Sequence, residues 1–207
     1  LNVANTLTVS SGTMTHGTST VTAASYSQGG GTFTGGSASV DINGGFDLSA
    51  GVFTSTSGTL YVSGTFTHSG GTFTHNSGTV SLDGNGQTLV GATTFNNLTK
   101  TVSSSATLTL PASTTTTVAG TLTWQGASGQ LLNIRSSSNG VRAILDSQST
   151  RSVQYLDIKD LNNTSTLVLG CYTGCSDSGN NQRVAFSQPT VTLGVSGSPF
   201  AENAGVA

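Results

Sequence analysis

Charge is scarce in this sequence. Only 7% of its 207 residues are Asp, Glu, Lys or Arg, and the formal net charge is −2, where ordinary domains carry about 25% charged residues. Six basic residues give no excess to neutralise phosphates, so nucleic-acid binding is not expected. Glu202 is the only glutamate, and the periodic Ala/Leu/Glu/Lys faces of a helical bundle are missing. No apolar run approaches the length that a membrane-spanning helix needs. No signal peptide or charged n-region precedes Leu1, so the expectation is a mature or excised segment.

Cysteine is nearly absent as well. Cys171 and Cys175 stand four apart in Cys-Tyr-Thr-Gly-Cys, too few for a structural zinc site, with His16, His68 and His75 far off in sequence. A local disulfide is the expected pairing, which implies an oxidising compartment and a secreted or cell-surface location. So small a loop pins a corner rather than the fold.

What the chain has in quantity is 28 Gly, 31 Ser and 36 Thr, nearly half of all residues. Such composition often means disorder, but the order of the residues excludes it here. Phe33, Phe53 and Phe73 recur at one constant interval; so do Val40, Leu60 and Val80, and Ile42, Val62 and Leu82. Phe46 and Phe66 keep the same register, and Gly31, Gly51 and Gly71 each stand two positions before a Phe. One repeat earlier the interval is shorter by one, matching Met14 to Phe33, Val21 to Val40 and Ala23 to Ile42. Independent columns with one period are the mark of a repeat architecture.

Within a repeat the apolar residues alternate with hydroxyls, as in strands buried on one face. The alternation predicts strands near 31–34, 38–43 and 45–49, with Gly-Gly and Asn-Gly at the turns. The expected fold is all-β: a right-handed parallel β-helix, or β-solenoid, with three short strands per rung. The rung length is about 20 residues at first, within the range of solenoid repeats. After position 84 it widens to about 24, as Leu98, Leu122 and Leu145 suggest. Val118, Trp124, Ile134, Val153, Leu156, Ile158, Leu167 and Val168 are expected to fill the later rungs, with loops at 136–140 and 162–166. The solenoid spans 1–187, regular over 1–84 and wider over 85–187. Residues 188–207 form an extended C-terminal strand or linker.

The segments Gly-Thr-Phe-Thr-His-Asn-Ser-Gly-Thr-Val (71–80) and Thr-Thr-Phe-Asn-Asn-Leu-Thr-Lys (93–100) resemble the degenerate repeats of bacterial secreted and cell-surface β-helix proteins of the adhesin-like kind. Residues 191–207 resemble the opening strand of a Calx-beta domain, through Val-Thr-Leu-Gly-Val and Ala-Glu-Asn-Ala-Gly. The resemblance implies an extracellular β-helix and carries over no catalytic residue.

Parallel β-helices also host polysaccharide lyases and hydrolases, which place acids and bases on one outer face. Asp157, Lys159 and Asp160, with Arg135, Arg142 and Arg151 on neighbouring rungs, are the residues to weigh for that chemistry; an ordinary solvated face is the competing reading. A Thr ladder flanks the inward aromatics at Thr13, Thr15, Thr32, Thr34, Thr54, Thr72 and Thr74, with Val52 interrupting it. Such a grid suits ice binding, against the plain preference of Thr for outward strand positions. Asp41-Ile-Asn-Gly and Asp83-Gly-Asn-Gly offer turn oxygens for Ca, though each has a single carboxylate, and no other cofactor is expected.

The expected function is non-enzymatic: a subunit of a surface filament or adhesin stalk, stacked on itself head to tail. In that reading Val191, Leu193, Val195 and Phe200 form an assembly strand donated to a neighbour. Surface glycans are a further expected partner. The alternatives are a stalk segment of a monomeric adhesin, a carbohydrate-active β-helix and an ice-binding solenoid.

Overall fold

The computed structural model describes residues 1–188; the expected assembly strand at Val191, Leu193, Val195 and Phe200 lies outside the described residues. Residues 1–188 form an all-β solenoid of about nine turns, with strands pairing in parallel from one turn to the next and no helix among them. Each turn has three faces. The first stacks residues 21–23, Val40–Ile42, Thr59–Val62, Thr79–Leu82, Asn97–Thr101, Leu122–Gln125 and Arg151–Gln154. The second stacks residues 6–9, 25–28, 46–48, Phe66–His68, Gly86–Val90, Ala106–Leu110, Leu132–Ser136 and Leu156–Ile158. The third stacks Thr13–Thr15, residues 32–34 and 52–54, then Thr72–Thr74. It continues through Thr93–Phe95, Thr115–Val118, Ala143–Ser147 and Leu161–Asn163.

The faces exist because alternate residues are apolar and must leave water. In Val40–Ile42 the two aliphatics are buried around a half-buried Asp41, the pleat's period of two seen residue by residue. The predicted columns are the observed registers: Val40 pairs with Leu60 and Leu60 with Val80, and Ile42 pairs with Val62 and Val62 with Leu82. Phe33 pairs with Phe53 and Phe53 with Phe73. All nine ladder residues join the core, although Phe73 is only partly buried.

Two columns of rings fill the early turns. Phe33 stacks on Phe53 at 4.7 Å and Phe53 on Phe73 at 5.7 Å, while Tyr26 stacks on Phe46 at 5.1 Å and Phe46 on Phe66 at 4.6 Å. Between columns the rings meet edge to face, Phe46 on Phe53 at 4.9 Å, the geometry that ring quadrupoles favour. Phe95 ends both columns, edge-on to Phe66 and Phe73.

The glycines before the Phe column turn the corner onto the third face. Gly12, Gly31, Gly51 and Gly71 all have positive φ, +82° at Gly51. A Cβ on Gly51 would sit 2.5 Å from the Gly31 carbonyl oxygen, so the corner is closed to any other residue both by backbone conformation and by the turn beneath it.

The structure departs from the sequence reading in four places. Val21–Thr34 is one strand across all three faces, and Phe46–Thr54 crosses two, rather than three separate short strands; the ladder continues through the glycine corners, with Gly29 paired to Ala50. Leu145 does not continue the Leu98–Leu122 column. Leu122 pairs instead with Arg151, and Leu145 stacks on Thr116 in the third face, because the 126–131 and 137–142 corners lengthen that turn. Leu167 and Val168 are 61% and 48% exposed, in a corner rather than a core position. Asn162 and Asn163 belong to the strand Leu161–Asn163, so the loop starts at 164.

Candidate functional site

The charged cluster is dispersed and internally consumed. Asp157 and Lys159 do point outward from the strand Leu156–Ile158 and its end, as the alternation predicts. Asp157 forms an ion pair with Arg135 and accepts from Ser178 Oγ at 2.5 Å. The Arg135 guanidinium also donates to the carbonyls of Ile134 and Asp157 and to Asn133 Oδ1. Lys159 Nζ donates to Asn139 Oδ1 at 2.7 Å.

Asp160 is not on this face. It is buried at a corner in the left-handed region, φ +58°, and accepts from Asn180 Nδ2 at 2.6 Å and the Gly140 N–H at 3.0 Å. Those two donors hold its carboxyl below the usual range. Asp157 and Asp160 are thus held apart in role, one salt-bridged on the surface and one an anchor for the 137–142 corner. Arg142 binds the Asn180 carbonyl, and Arg151 turns to Ser147 and Ser165. Each acid and base here is engaged in a local bond that holds a loop.

The Thr ladder is in register. Thr13, Thr32, Val52 and Thr72 form one column, and Thr15, Thr34, Thr54 and Thr74 the other. It ends after four turns, because on the next turn Thr93 and Phe95 are buried and Thr94 faces out. Among the described residues no group of three His, Cys, Asp or Glu side chains converges. At the second turn considered for calcium, Asp83 instead accepts from Ser63 Oγ at 2.8 Å. Cys171 and Cys175 are joined in a disulfide, and Leu156 N donates to Cys175 Sγ at 3.4 Å, tying that loop to the turn before it.

Composition does not reveal the polar interior. Lys100 is fully buried and faces Trp124 in register, donating to Gly84 O and to Gln87 Oε1, both at 2.6 Å. Burial lowers its ammonium to about 8, against the opposing attraction of Asp83. Gln28, also fully buried, accepts from the Tyr26 hydroxyl at 2.7 Å and donates to the carbonyls of Gly30, Gly31 and Val52. His16 accepts from the Gly36 N–H at Nδ1, which leaves Nε2 to donate to Ser19 O at 2.7 Å. All three lie in alternating or corner positions, where their parity is a signal. Each satisfies carbonyls that a corner turns inward.

The chain matches no protein-family model, no curated protein and no solved structure.

Proposed function

We propose that the chain is a non-enzymatic structural module of an extracellular surface protein, a stiff stalk or filament subunit that stacks on itself head to tail. The observation that carries this reading is the fate of the Asp157, Lys159 and Asp160 cluster and its arginines: each is engaged in a local bond, to a neighbouring strand or a corner, while stacked strands run through about nine turns. A solenoid grows along its axis by repeating one interface. In the turn formed by Asn2–Val9 and Thr13–Thr15, Val3, Leu7 and Met14 are only partly buried, apolar surface that a further stacked turn would cover.

The disulfide is compatible with an oxidising exterior, and the resemblance to adhesin-like repeats and to a Calx-beta opening strand supports the same setting. Donation of residues 188–207 to the open edge of a neighbouring copy is part of this reading, since an alternating segment adds to a free strand edge through main-chain hydrogen bonds. Removing 188–207 is expected to abolish polymers seen by electron microscopy and to leave a monomer in sedimentation. Unchanged fibres would reject strand donation, and a wild-type chain that stays monomeric at high concentration would reject self-stacking altogether.

A further inference from the structure

On the second face of the first four turns lies a shallow depression of about 550 Å³. Its walls are two outward columns. Thr8, Ser27, Asp47 and Thr67 stand in register in one; Thr6, Ser25, Gly45 and Thr65 line the other. Gly45 makes the notch. It is the one position in its column without a side chain, and a Cβ there would meet only Thr65 O at 3.6 Å, so the gap is not imposed by crowding from the turn below. Asp47 stands beside it and is in no ion pair among the described residues.

We propose that this depression binds a neutral linear polysaccharide lying along the solenoid axis. Its chemistry is that of a sugar's partner: hydroxyls that both donate and accept, around one carboxylate able to accept from two adjacent sugar hydroxyls. Its length fits, since three turn-to-turn steps of about 4.8 Å give about 14 Å, the extent of a short oligosaccharide. Its field selects against acidic polymers. Positions 1–99 contain Asp41, Asp47 and Asp83 and no Lys or Arg, so uronates and sulfated chains are repelled. A protein partner is poorly served, because the rings beneath, Tyr26 and Phe46, are 2% and 1% exposed and supply no apolar anchor. The face of a sheet also has no free backbone for an added strand.

The test is affinity electrophoresis of the full chain in gels containing mixed-linkage β-glucan, xylan or galactomannan, with alginate as the acidic control. Retardation is expected in at least one neutral gel and not in alginate. Gly45→Trp fills the notch and is expected to migrate as if no polysaccharide were present. Asp47→Ala, on the surface, is expected to weaken binding by roughly tenfold or more, since it removes the charged acceptor of two sugar hydroxyls. Circular dichroism and melting of both variants establish that they fold. Should no neutral polymer retard the chain, or should folded Gly45→Trp be retarded as much as wild type, the depression is not a glycan site.

Discussion

From Val21 to Leu82 each turn repeats the one beneath it at a nearly constant interval, with Val21, Val40, Leu60 and Val80 stacked in order. Beyond Gly86 the interval between stacked partners changes from turn to turn. Leu98 pairs with Leu122, Leu122 with Arg151 and Ala143 with Leu161, so the step lengthens and then contracts. The early turns put like on like, ring over ring and glycine corner over glycine corner, and need no charge to do it. The later turns have corners of unequal length, and some of their carbonyls are met by side chains rather than by backbone N–H groups of the adjacent turn. All six basic residues occur there. Lys100 reaches Gly84 O, Arg142 reaches Asn180 O, and Arg183 reaches Ser165 O and Thr166 O. A cation on a long stem is thus this chain's means of closing an irregular corner, since an unpaired carbonyl in a partly buried place is costly.

The largest effect is expected from Phe53→Ala, which strikes the regular turns alone. Phe53 contacts Phe33, Phe73, Tyr26 and Phe46, and its loss is expected to cost about 3–5 kcal/mol. Because each turn interacts chiefly with its neighbours, hydrogen exchange should lose protection around residues 26–73 while Leu132–Ser136 and Leu156–Ile158 keep theirs. Equal loss in both regions would show that the two halves fold as one unit.

Lys100 stands where the halves meet. Lys100→Met leaves Gly84 O and Gln87 Oε1 without their cationic donor and is expected to cost about 1–3 kcal/mol at pH 7. The pH dependence has a definite sign. A base held at about 8 when folded and 10.5 when unfolded binds fewer protons in the folded state between those values, so stability rises with pH through that window. Tyr26 acts in the opposite sense: burial raises its hydroxyl above the usual 10.0, and stability falls once the unfolded chain ionises above pH 10. Urea midpoints should therefore rise from about pH 8 to 10 and fall beyond it. Lys100→Met should keep the fall and lose the rise; a rise that survives the substitution would assign it to another group.

The same contrast decides what can be read from the sequence. Where neighbours stack like on like, spacing alone places Phe33, Phe53 and Phe73, the aliphatic columns and the glycine corners. Where corners differ in length, one inserted residue shifts the parity of everything after it, and so spacing puts Leu145 in the wrong column. The charges mislead for a related reason. Lys100 gains its inward parity only once Leu98 is set against Val80 and Leu122, and Asp160, weighed with Asp157 and Lys159 for one outer face, is buried as an anchor. Sequence spacing brings Asp157, Lys159 and Asp160 together, but the third dimension separates their tasks. The hydroxyl-lined depression is invisible in the sequence because it depends on the one turn that has Gly45 where the others have Thr6, Ser25 and Thr65.

The smallest effect expected is that of the disulfide. It joins cysteines at a sequence separation of 4, and for so short a loop the chain-entropy contribution is about 2 kcal/mol at most. Its local attachments are few: Tyr155 N donates to Thr173 O at 2.8 Å, Leu156 N to Cys175 Sγ, and Cys171 N to Ala185 O at 2.8 Å. Changing both cysteines to serine should accordingly speed hydrogen exchange at Tyr155, Leu156 and the backbone amide of position 171 and leave the aromatic turns untouched. The irregular half already closes its other corners with cations and amides, such as Arg183 on Ser165 O and Asn163 on Leu167 O, so one covalent link adds to a set rather than holding it. Global unfolding of the double variant at 25 °C would mean that the last turns depend on that link, and that side-chain hydrogen bonds alone do not close an irregular corner.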